Sequence, residues 1–143
     1  MGITISSKRH NCDLGYGGFG RFRDCVAKNL NNAFSEHHAV LRGKESTGEI
    51  YRMDQEEQDA YYEAFNQKTK AFIEEGVVSI EVANFLFQSD CDGKINRKQA
   101  KQIYRLIEHE KDDIVYGYIG RPDVATMRDL KAIFSDGTSV RWS

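Results

Sequence analysis

The chain has 143 residues, 40% hydrophobic and 29% charged, with a net charge of −2. This is the profile of a single globular domain, residues 1–143, large enough to bury a real core, and it excludes a disordered chain. The near-neutral balance argues against a dedicated nucleic-acid binder and against an acidic nucleic-acid mimic, and no apolar run approaches the ~18 residues of a membrane span.

In chain order, Ile3-Thr4-Ile5-Ser6-Ser7 alternates at period two and predicts a strand. The preceding Met1-Gly2, with Ser6, spells a myristoylation pattern, but a strand that follows Met-Gly is the plainer reading. No long apolar stretch of a signal peptide is present. Gly15-Tyr16-Gly17-Gly18-Phe19-Gly20 follows, and from Phe19 the apolar residues Phe19, Phe22, Val26, Leu30 and Phe34 keep the spacing of an amphipathic helix. A short helix is expected over residues 35–42, stopping at Gly43, and residues 44–53 read as a polar loop, with room for a brief strand.

Asp54 with Glu57 opens a helix that carries Tyr61, Phe65, Lys68 and Phe72 on one face and ends at Gly76. Ser79 caps a short helix over residues 80–88. Residues 89–94 read as a turn. Asn96 with Gln99 is a capping box that opens a helix with Ala100, Ile103, Tyr104 and Ile107 on one face. Residues 112–120 connect, Pro122 and Asp123 start a last helix with Met127, Leu130 and Phe134 inward, and Asp136-Gly137 ends it. Thr138–Ser143 reads as a closing strand. The expected fold is α+β and mainly helical: five or six helices packed on a small antiparallel sheet that includes the N- and C-terminal strands.

The glycine stretch satisfies G-x-G-x-x-G, but a dinucleotide fingerprint needs a buried parallel strand before it and an acid about 20 residues later in a βαβ unit. Lys8 to Asp13 are polar and no parallel repeat follows, so a dinucleotide fold is rejected. Two readings stay open. In one, the backbone amides of Gly17 and Gly18 and the side chains of Arg21 and Arg23 hold a phosphate at a helix start, with Tyr16 against a base. In the other, the glycines only make a turn, Phe19 and Phe22 are core, and the arginines face water. A second cluster, Tyr116, Tyr118 and Arg121, has the composition of a hot spot or of a base-and-phosphate pocket, or else of a loop whose tyrosines cover the core.

Residues 88–99 resemble a calcium loop with Gly93 at its sixth position, Asp90 and Asp92 at the third and fifth, and Asn96 at the ninth. Gln88 and Gln99 stand where the first carboxylate and the bidentate Glu belong, so little affinity for a hard cation is expected. Three cysteines, Cys12, Cys25 and Cys91, form an odd set without a C-x-x-C pair, which fits reduced thiols in a cytoplasm. The histidines, His10, His37, His38 and His109, show no zinc spacing. No metal site, cofactor or catalytic residue is assigned.

The motifs DLGYGGFGRFR, LFQSDCDGKI, KQIYRLI and YGYIGRPD resemble a family of small bacterial and phage proteins without an assigned activity. The resemblance covers nearly the whole chain and implies a compact cytoplasmic protein of phage or mobile-element origin, of a kind that counters host defence. The resulting expectation is a non-enzymatic protein that sequesters a nucleotide-like small molecule through Tyr16, Gly17, Gly18, Arg21, Arg23, Tyr116, Tyr118 and Arg121. The alternative is an interaction module or inhibitor of a host protein. Neither involves nucleic acid or membrane, and either is compatible with a homo-oligomer. A weaker third reading is a nucleotide hydrolase with His10, Asp13 or Asp24 as its base.

Overall fold

The computed structural model describes residues 2–117 and 124–143. The chain order is β1 (Ile3–Ser6), β2 (Asn11–Leu14), α1 (Tyr16–Lys28), α2 (Asn32–Ser46), a 3-10 turn (Ile50–Arg52), α3 (Gln55–Glu74), α4 (Ile80–Phe87), β3 (Gly93–Ile95), α5 (Arg97–Ile107), α6 (Met127–Phe134) and β4 (Val140–Trp142). The fold is α+β and mainly helical. The sheet is antiparallel throughout, in the order β2-β1-β4-β3, with the two terminal strands side by side at its centre.

The sheet puts one face against the helices. Ile3, Ile5, Leu14, Ile95, Val140 and Trp142 are all buried there. Phe19 and Phe22 of α1, Phe85 of α4 and Phe134 of α6 meet Trp142 in a network of edge-on and tilted rings. Each such side chain contributes roughly 1.5–3 kcal/mol on leaving water, so this cluster is the centre of stability. A smaller cluster of Leu41, Ile50 and Phe65 lies under α3, and Phe87 packs against both.

Local signals set most helix ends. Asn31 accepts from Phe34 N at 2.7 Å, Asp54 from Glu57 N at 2.8 Å and Ser79 from Val82 N at 3.1 Å. Asn96 and Gln99 bond reciprocally at 2.9 Å, a full capping box. Gly76 ends α3 at φ +77 and Gly137 follows α6 at φ +78, the left-handed position a helix C-terminus favours.

Several boundaries differ from expectation. The amphipathic run from Phe19 to Phe34 is not one helix: α1 ends at Lys28 and Asn31 caps α2, so Phe34 lies in α2, which starts ahead of the expected residue 35. Asn11–Leu14 is a strand, although polar, because it is the sheet's edge and only Leu14 turns fully inward. Gly43 does not stop α2, which runs on to Ser46, since nothing requires that glycine to leave helical geometry. Gly93–Ile95 forms a short strand on β4. The last helix described is Met127–Phe134; the expected start at Pro122 and Asp123 lies outside the described residues. Tyr116 N and Gly117 N both donate to Ala125 O, and Met127 N donates to Ile114 O. This pairing holds residues 124–126 extended until Thr126, whose own N–H reaches Asp129 at 2.9 Å. No helix of the described residues is long and apolar enough to cross a membrane.

Candidate functional site at the start of α1

The glycine stretch is helix rather than loop. Only Gly15 stands outside α1, as an extended N-cap at φ −74 and ψ 164 that offers no side-chain acceptor. The amides of Tyr16, Gly17 and Gly18 are therefore left without the side-chain cap that satisfies them elsewhere. The glycines serve close approach. A Cβ on Gly18 would sit 1.8 Å from Tyr116 O, and one on Gly20 would sit 2.5 Å from the Arg42 guanidinium, whereas one on Gly17 would meet nothing within 4 Å among the described residues outside its own helix backbone.

Helix α1 thus has two working faces. On one, Gly18 packs on Tyr116. Arg21 donates to Val115 O at 3.3 Å and lies 5.8 Å over the Tyr116 ring. Tyr116 itself is buried edge-on against Phe22, and burial, with Cys25 beside it, pushes its hydroxyl up. The glycine stretch and the Tyr116 segment do meet in space, and on this face they meet as packing. Tyr118 and Arg121 lie outside the described residues.

The other face borders a cleft of about 670 Å³ between the start of α1, α2 and the segment joining α4 to α5. Tyr16, Gly17, Gly20 and Arg23 line it from α1, and His38, Arg42 and Glu45 from α2. Tyr51 and Asp90 stand at its margin, with Tyr16 and Tyr51 both exposed. Of the residues expected at a site, Tyr16, Gly17 and Arg23 are brought together here.

Arg23 forms the floor. Nη1 donates to Gln88 O at 2.8 Å and Nη2 to Ser89 O at 3.4 Å, while the guanidinium lies 4.4 Å from the Phe19 ring and 5.5 Å from that of Trp142. Burial lowers it to about 10, with Asp90 working in the opposite sense, so it remains a cation at neutral pH. Its Nε is buried without a hydrogen-bond partner among the described residues.

Behind the cleft, Asp24 joins the two helices. Arg42 Nη1 bonds Asp24 Oδ2. His38 Nδ1 faces Asp24 Oδ1 at 3.5 Å, an electrostatic contact rather than a formed hydrogen bond, and neither atom has another partner among the described residues. Burial alone would raise the Asp24 carboxyl, but His38 and Arg42 outweigh it and hold it below its ordinary value. His38 is only 5% exposed, so an unpaired polar nitrogen there is a real energetic cost.

The sequence hides this cluster because its members come from separate helices. A signal existed. Tyr16, Gly20 and Asp24 share a face at i, i+4 and i+8, and His38, Arg42 and Glu45 share one on the next helix. Pairing those two faces would have assembled the cleft.

The loop that resembles a calcium site is closed by amides. Gln88 Nε2 donates to Lys94 O at 3.1 Å, and Gln88 Oε1 accepts from Lys94 N at 3.2 Å. The side chain at the loop's first position therefore points a donor at the seventh-position carbonyl, where a calcium ion would take that oxygen. Gln99 is spent on the cap and on Glu81 O and Asn84 Oδ1.

Comparison with known proteins finds no matching family model, no similar curated protein and no similar solved structure.

Proposed function

We propose that the protein binds a small phosphorylated, nucleotide-like molecule in the cleft between α1, α2 and the α4–α5 loop. One observation carries this reading. The uncapped start of α1 borders the same cleft as the Arg42 guanidinium and the buried imidazole of His38. A helix N-terminus favours an anion through its free amides and dipole. Arg42, half exposed, keeps Nη1 on Asp24 and has its remaining N–H groups for a phosphate. Tyr16 and Tyr51 offer exposed rings for a base at the mouth. Arg23 adds positive potential from the floor without leaving its carbonyl partners. Gly18, Arg21 and Tyr116 act one step back, fixing where α1 begins.

In a cytoplasmic protein carried by a phage or mobile element, such binding would withdraw a nucleotide signal from host defence. Native mass spectrometry of freshly purified protein tests the binding. The expected spectrum shows a phosphorylated small molecule that leaves on denaturation and is missing from Arg42→Ala. A bare chain from both proteins contradicts the reading.

A second reading, an interaction module or inhibitor of a host protein, draws on a groove of about 440 Å³ between α2 and α3, lined by Val40, Tyr61, Phe65 and Phe72. Val40 is 53% exposed there. A co-purifying protein chain in place of a small molecule favours it.

A further inference from the structure

We infer that the cleft also hydrolyses the phosphate ester it binds, with His38 as general base and Asp24 as the residue that positions it. This rests on the binding reading above. Asp24 Oδ2 is taken by Arg42, so Oδ1 is the atom left for His38. A carboxylate oxygen facing Nδ1 selects the tautomer with its proton on Nδ1 and leaves the lone pair on Nε2. His38 lines the cleft, which sets its imidazole beside the bound phosphate.

The step balances without a cofactor. A water molecule gives a proton to His38 Nε2 as its oxygen bonds to phosphorus. The ester P–O bond breaks, and the leaving oxygen takes the proton back from the imidazolium. Negative charge that builds on the phosphoryl oxygens meets the amides of Tyr16 and Gly17 and the Arg42 guanidinium. Asp24 touches no substrate; it holds the imidazole and stabilises its charged form.

The test uses AMP, ATP and cyclic di-AMP with the full chain, measuring binding by calorimetry and hydrolysis by chromatography of the products. At least one nucleotide is expected to bind and to be cleaved. His38→Gln should lose about 100-fold or more in kcat, a loss larger than any accompanying change in affinity. Asp24→Asn should lower kcat while leaving KM nearly unchanged, which a merely structural role would not do. A nucleotide that binds the wild type but is cleaved no faster than by His38→Gln overturns the hydrolytic inference and leaves binding intact. Absence of both binding and cleavage overturns both.

Discussion

A methyl group placed on Gly18 would lie 1.8 Å from the carbonyl oxygen of Tyr116. That oxygen belongs to backbone held by Ala125, so it cannot move aside cheaply. Gly18→Ala should therefore cost about 3 kcal/mol or more, the upper end for overpacking. Gly17→Ala, one residue away and with open space around it, should be neutral or stabilising by up to about 1 kcal/mol through helix propensity. Chemical denaturation of the two variants checks the contrast; equal losses would mean that α1 does not approach Tyr116 so closely.

Arg23 should behave as a structural cation. Arg23→Met keeps the apolar stem but leaves Gln88 O without its charged donor, and should lose about 3 kcal/mol. Arg23→Lys should recover little of this, because one ammonium cannot reproduce the fork to two carbonyls over the Phe19 ring. Thermal melts of both variants decide it. A fully stable lysine variant would show that charge alone suffices.

Millimolar calcium should produce no heat in calorimetry. Both positions that need carboxylates carry Gln88 and Gln99, and both amides are already bonded within the fold. Saturable binding would mean that the amides yield to the ion.

Acid should weaken the packing of α3. His37 stacks on Phe65 at 4.0 Å and bonds Thr69 at 2.7 Å. Burial lowers its imidazole to about 4, with Lys68 and His38 adding to the effect. Its folded value is below the unfolded one, so the unfolded chain takes up the proton first. Stability is then full above about pH 6.5 and falls as pH drops toward 4, by on the order of 1–2 kcal/mol after solvent screening. Denaturant midpoints across that range should show the slope, and His37→Phe should flatten it.

The sequence carried helix ends well because those signals are local. Ser79, Gly76 and the Asn96–Gln99 pair each act within a few residues, and the structure uses all of them. The paired terminal strands were legible, the first from the period-two alternation of residues 3–7 and the last as a closing strand over residues 138–143. What was hidden depends on contacts far apart in the chain. Asn11–Leu14 is polar and becomes a strand only because β1 lies beside it. Arg23 was read as facing either a phosphate or water, yet two carbonyls some 65 residues away draw it inward. At the cleft, Tyr16 and Gly17 were legible as a helix start, while His38 and Arg42 gained meaning only when α2 packed against α1.

The most direct test of the binding reading is amide chemical-shift mapping of the isotope-labelled chain titrated with AMP, ATP and cyclic di-AMP. The account predicts saturable shifts at Tyr16, Gly17, His38 and Arg42 for at least one nucleotide, with smaller changes around Arg21 and Tyr116 on the far face of α1. No shifts with any of the three, or shifts confined to the groove between α2 and α3, would contradict it.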